Sequence, residues 1–206
     1  MNYLQPPTKS SGAPLILTSV LLASPLWAQS PLRILEPVES APKVIDGLEF
    51  SVVTQSEWGN PANINTRIDQ VIMQLRIANH RDKPVLFPTF DSFRVNLKSV
   101  GGKEVRVTGG RDFTRITPNI LLQPGASFSL PINATLNYKR DDKDVKLTVK
   151  DGTGSIDEAM LAAGSYAMSV SVFPTHYEFD RTGKLPAPLW SGKGSTESIG
   201  FKLNPP

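Results

Sequence analysis

The sequence predicts an all-β fold: an immunoglobulin-like, antiparallel Greek-key β-sandwich of about eight strands. Three observations carry the prediction. Apolar and polar residues alternate with a period of two through most of the chain beyond residue 44. The 206 residues include 18 prolines and 15 glycines, a balance that suits many short strands and turns better than long helices. One stretch alone, IDEAMLAA at 156–163, has the composition of a helix, and it is a turn or two long.

The strands follow in order. GLEFSVVTQ (47–55) is the first. In RIDQVIMQLRIANH (67–80), Val71, Met73, Leu75 and Ile77 fall on one face. In DSFRVNLKSV (91–100), Phe93, Val95 and Leu97 share a face against Arg94, Asn96 and Lys98. Gly101-Gly102 then signals a two-residue hairpin, and KEVRVT (103–108) places Val105 and Val107 together on the return. SFSLPINATLNYK (127–139) aligns Phe128, Leu130, Ile132, Ala134, Leu136 and Tyr138. After a turn from Lys139 to Asp144, Val145, Leu147 and Val149 run back. Tyr166, Met168, Val170 and Val172 form a further strand, and Ile199, Phe201 and Leu203 close the chain. Strands with one dry face and one wet face are buried by stacking two sheets, which gives the sandwich. A closed barrel is the alternative that periodicity leaves open. Pro131 has no N–H to give a ladder, so its strand belongs at a sheet edge or carries a bulge.

Leu161-Ala-Ala-Gly164-Ser-Tyr166 has the form of a tyrosine corner. The leucine packs beneath, the glycine permits a sharp turn, and the tyrosine hydroxyl reaches back to the chain a few residues upstream. Leu122-Gln-Pro124-Gly125-Ala-Ser-Phe128 repeats the pattern one element earlier, with Phe128 lacking the hydroxyl. On these motifs the chain, over roughly residues 44–204, resembles bacterial immunoglobulin-like domains and, more loosely, the secreted intracellular-proteinase-inhibitor-like sandwich. The first likeness implies the fold. The second implies a role as a proteinase inhibitor or an enzyme-accessory domain. The antibody-type cysteine pair is absent, and Met168 stands where its second member would fall.

The N-terminus reads as a targeting segment. APLILTSVLLASPLWA (13–28) is uncharged and follows Lys9, the layout of a secretory signal peptide, with cleavage expected after Ala28 and an alternative after Ala23. It is shorter than the ~20 apolar residues a membrane span needs, and Pro14 and Pro25 interrupt it. The expected organisation is therefore a signal peptide over 1–28, a proline-rich linker over 29–43 and the sandwich over 44–206. The mature chain is expected in the periplasm or outside the cell, without a transmembrane anchor.

Composition excludes several classes. No cysteine is present, so there is no disulfide, thiolate metal site or cysteine nucleophile. The net charge is +3, and one of those charges is Lys9 in the removable segment. KRDDKDVK (139–146), the densest charged stretch, mixes signs, so nothing here suits nucleic acid. The two histidines, His80 and His176, lack ligand spacing for zinc, and no cofactor is expected. No G-x-S-x-G elbow is present. DGTGSIDE (151–158) is a glycine-rich turn, because Thr153 and Ser155 replace the carboxylates of a calcium loop. An enzyme is not expected; a hydrolase would need converging carboxylates.

What remains is binding through loops. PTHYEFDRTGKLPAPLWSGKGS (174–195) exceeds ordinary loop length and carries His176, Tyr177, Phe179 and Trp190. Trp58 lies on another loop, and GGRDFTR (109–115) offers Arg111 and Arg115, with Asp112 as an internal partner. These residues are the candidate contact set for a protein or polysaccharide. The competing reading has Trp190 and Phe179 folding back to cap the sandwich.

Overall fold

The alternating runs become strands because each offers one apolar face to bury. The structure, a computed structural model, describes residues 37–59, 68–111, 119–138, 143–150, 155–174 and 185–204. The side chains of Ile68, Arg111 and Ser155 lie outside that description. The strands are β1 (Pro37–Glu39), β2 (Lys43–Ile45), β3 (Leu48–Gln55), β4 (Glu57–Trp58), β5 (Ile68–Val71), β6 (Met73–Asn79) and β7 (Val85–Phe87). They continue with β8 (Phe93–Ser99), β9 (Thr108–Arg111), β10 (Ile120–Leu122), β11 (Ser127–Pro131), β12 (Asn133–Asn137) and β13 (Asp144–Lys150). The last four are β14 (Ser155–Ala162), β15 (Gly164–Val172), β16 (Gly194–Ser195) and β17 (Ile199–Leu203).

The fold is all-β, and its sheets pack as a β-sandwich. One sheet orders β1-β3-β6-β11, with β2 also on β3. A second orders β5-β12-β13-β14-β9. A third orders β16-β15-β17-β4, with β8 on β15, and β7 pairs β10 separately. The pairing of β17 with β4 is parallel, and the other ladders among the described strands are antiparallel. The inward side chains, including Leu75, Ile77, Leu136, Leu147, Met168 and Val170, join one apolar core. Burial of this kind supplies the main stabilisation in a chain without disulfides. Leu35–Pro206 form one compact unit.

Several expectations hold in detail. The alternating faces named above face the core, most of their residues buried and Val105, Val107, Phe128, Leu130 and Tyr138 half-buried against it. Pro131 ends β11, the last strand of its sheet, where its missing N–H costs no ladder bond. The Tyr166 hydroxyl donates to the Ala162 carbonyl at 2.7 Å, so the tyrosine corner is real. It pins the chain where it crosses from β14 in one sheet to β15 in another. Gly164 makes that crossing at φ +155, a conformation that residues with a Cβ rarely adopt.

Others are corrected. IDEAMLAA is not helix but part of β14: Ala159 and Leu161 face the core opposite Leu147 and Val145, and that pairing outweighs local helix propensity. The Gly101-Gly102 hairpin has three loop residues. Gly102 N–H closes on the Ser99 carbonyl, Ser99 N–H bonds Lys103, and Gly102 sits at φ +75. The described part of the expected linker contains β1, and Ser40 ties it down by exchanging bonds with Val52. The run 67–80 is two strands, and so is 127–139, because both cross from one sheet to another at Ile72 and Ile132. About eight long strands thus become a larger number of short ones.

Among the described residues, no helix is long and apolar enough to cross a membrane.

Candidate functional site

The two tryptophans expected to be contact residues are core residues. Trp190 is 0% exposed, with its ring 5.3 Å from Phe50 and 5.5 Å from Phe87. Its Nε1–H points at the Ile45 carbonyl, 3.4 Å away. Trp58 is also 0% exposed, stacks on Phe201 at 3.6 Å and donates to Thr54 Oγ1 at 3.1 Å. A large ring with one polar atom is buried this way when that atom finds a partner. The second half of the long loop is likewise tied down. Leu86 N–H bonds Pro188, Trp190 N–H bonds Leu86, and β16 pairs β15. Folding back is therefore the outcome for Trp190. His176, Tyr177, Phe179 and Arg115 lie outside the described residues. So do Asp112 and the calcium-like turn from Asp151 to Gly154. The Arg111 backbone ends β9, opposite Ser155. His80 sits in its turn as expected, on the surface, with Nε2 3.2 Å from Glu49 Oε2. Among the described residues, no cluster of three or more metal-ligating side chains occurs.

The structure instead directs attention to the strand after β8. The hairpin at 99–103 starts an antiparallel return: Lys98 bridges Glu104, and Val105 N–H donates to Leu97 at 2.9 Å. There the return strand leaves. Arg106 and Val107 diverge from β8, and β9 pairs β14 in the other sheet from Thr108 onward. The two arms form a fork.

The fork leaves backbone groups open on both arms. Leu97 C=O and Ser99 N–H point outward, so ladder alternation puts Val95 N–H and C=O on that side too. Among the described residues, no hydrogen bond takes up those Val95 groups, and none reaches the Arg106 or Val107 backbone. A cleft of about 930 Å³ runs along this opening, from Gly109 and Asp157 past Val107, Val95 and Leu97 onto the outer face of β8 and β15. Unpaired edges of this kind accept another strand.

Side chains complete the site. Val105 and Val107 turn their half-buried side chains toward the core, and Arg106 between them is exposed. Arg94 is held by Asp91 and lies 5.4 Å over the Phe173 ring. Lys98 stands 3.7 Å from Glu104, with both side chains more than half exposed. Among the described residues, Arg106 has neither an ion pair nor a hydrogen bond. On the outer face Asn96 Nδ2 donates to Ser171 Oγ at 2.8 Å, and Ser171 Oγ lies 2.9 Å from Ser195 Oγ. These hydroxyls are largely occupied with one another.

Sequence reasoning missed this site, although it read Val105 and Val107 as a strand. The available signal was Gly109-Gly110. A glycine pair just beyond the return strand of a hairpin, here four residues past Val105, marks a place where that strand can turn out of its ladder.

No family model matches the chain, and no curated protein does. Among solved structures it is similar to FetP from uropathogenic E. coli strain F11, crystallised "as isolated" after recombinant expression in the periplasm of E. coli. The identity is 11%, the match covers 83% of this chain and 98% of that one, and the TM-score is 0.32. A likeness at that score carries no argument about fold or function.

Proposed function

We propose that this protein is an exported, non-enzymatic β-sandwich that binds a partner protein by taking an extended segment of it at the β8 fork. The observation that carries the reading is the unpaired backbone at Val95, Arg106 and Val107 beside an open cleft. A strand laid there gains main-chain hydrogen bonds, and its alternate side chains supply specificity. Export rests on the signal-like segment over 13–28, and the immunoglobulin-like kinship on the Tyr166 corner. A polysaccharide suits the site less well. The Ser171, Ser195 and Thr196 hydroxyls take part in internal bonds, and among the described residues that line the cleft no aromatic ring offers a stacking platform.

The test is capture from the host's envelope fraction followed by amide hydrogen exchange on the complex. Protection gained at Val95, Arg106 and Val107 is the expected result. Protection confined to any other surface overturns the reading. A panel of proteases, run beside it, should show no stoichiometric inhibition; inhibition would favour the inhibitor role instead.

A further inference from the structure

Resting on the fork as a strand-binding site, the structure also assigns the chemistry of the segment that fits it. We infer that the partner segment alternates acidic and apolar residues, with its carboxylates on the outer face and its apolar side chains turned between the sheets.

The argument starts from register. A strand paired to β8 beyond Leu97 shares the pleat of β8. Its side chains beside Val95 and Leu97 then point inward, as those two do, toward the half-buried Val107, with Gly109 and the already partnered Asp157 at the far end of the cleft. Apolar residues of modest size suit that side, because a polar group there would lose water without a partner. Its side chains beside Arg94, Asn96 and Lys98 point outward. Of the charged groups that line the cleft, Arg94 is held by Asp91, Lys98 is loosely met by the exposed Glu104 and Asp157 has a partner of its own, which leaves Arg106 as the cation to be matched. Directly opposed unlike charges on adjacent strands stabilise a pair, and like charges oppose it. A free guanidinium at the crotch of the fork therefore selects a carboxylate, which it can hold through two parallel N–H donors.

The test uses the mature protein and four eight-residue synthetic peptides, read by fluorescence anisotropy. One alternates glutamate and valine. Two replace glutamate by glutamine or by lysine. The fourth has the first peptide's composition in blocks rather than alternation. The expected order is glutamate tightest, glutamine weaker by about tenfold, and lysine and the blocked peptide weakest. Arg106→Gln should remove most of the preference for glutamate over glutamine, and raising salt should do the same. Because Arg106 is exposed and makes no ion pair or hydrogen bond among the described residues, the variant is expected to fold as the parent does, which its melting temperature checks. If glutamine and glutamate peptides bind equally, the acidic assignment fails while the strand site stands. If the blocked peptide binds as well as the alternating one, or no peptide binds, the strand site itself fails.

Discussion

At two places in this molecule a strand pairing breaks as the chain passes from one sheet to another, and the two breaks end in opposite ways. At the first, β5 and β6 meet β12 and β11 across a seam at Ile72 and Ile132. Three of the four backbone groups at Ile72 and Ile132 are taken up there. Ile132 N–H donates to Met73, the Ile72 carbonyl accepts from Thr54 Oγ1, and Ile72 N–H donates to Gln55 Oε1. Thr54, fully buried, also accepts from the Trp58 indole. At the second, the fork after Val105, the same change of sheet leaves Val95, Arg106 and Val107 unpaired. A buried backbone group without a partner is costly, and the seam shows how this fold meets that cost with side chains. The fork has no equivalent of Thr54 and Gln55. Closure where the chain is structural, and openness where the cleft runs, is the contrast on which the functional reading stands.

The comparison breaks most visibly in the core that backs the seam and the first sheet. Trp190→Ala should cost about 3–5 kcal/mol, the range for truncating a fully buried tryptophan. Thermal or denaturant unfolding measures it. A loss under 1 kcal/mol would return Trp190 to the surface and revive it as a contact residue. Next comes Thr54→Val, which keeps the shape but strands two groups at once, the Ile72 carbonyl and the Trp58 Nε1–H. The expected cost is about 1–3 kcal/mol. A neutral result would mean that water replaces the hydroxyl and the seam is less tightly closed than its geometry implies. Tyr166→Phe removes one hydrogen bond at the surface-facing end of a core ring, so about 1 kcal/mol is expected.

A pH effect follows at Tyr138, the residue after β12. Burial, and then the negative charge of Asp69, push its pKa up from 10.0 to about 12. The unfolded chain ionises near 10.0 and the folded chain near 12, so the folded state favours the neutral phenol. Stability from this group is whole below pH 10, and it drains as pH rises toward 12. Replacing Tyr138 by Phe should flatten the fall in melting temperature between those two values. An unchanged slope would show that Tyr138 titrates as a free tyrosine does.

The sequence carried the fold further than the site, for a physical reason. Period-two alternation records which face of a strand is buried, and Phe93, Val95 and Leu97 or Tyr166, Met168 and Val170 are buried as their spacing demands. Tyr166 was legible because a corner needs a glycine and a phenol at fixed offsets. Alternation does not record which strands pair, so the breaks at Ile72 and Ile132 stayed hidden inside runs of unbroken pattern. It also treats every aromatic in a loop alike. Trp58 and Trp190 read as surface contacts because their partners, Phe201 in one case and Phe50 and Phe87 in the other, come from distant parts of the chain. The turn between β2 and β3 was legible but overlooked: Asp46-Gly47, both at positive φ, is the two-residue hairpin that Ile45 opposite Leu48 requires. The fork was the hardest to read, since it consists of hydrogen bonds that are not made.

That last property gives the gentlest test, one that perturbs nothing. In the free protein, amide exchange should separate the two sheet crossings residue by residue. Ile72, Ile132 and Val105 donate to named acceptors and should be protected, whereas Val95, Arg106 and Val107 donate to none and should exchange faster. Burial alone does not predict this order, because the Val95 side chain is nearly as buried as that of Ile132 while the Ile72 side chain is half exposed. If exchange instead follows side-chain burial, with Val95 slow and Ile72 fast, the contrast between a sealed crossing and an open one is lost, and the β8 edge has no claim on a partner strand.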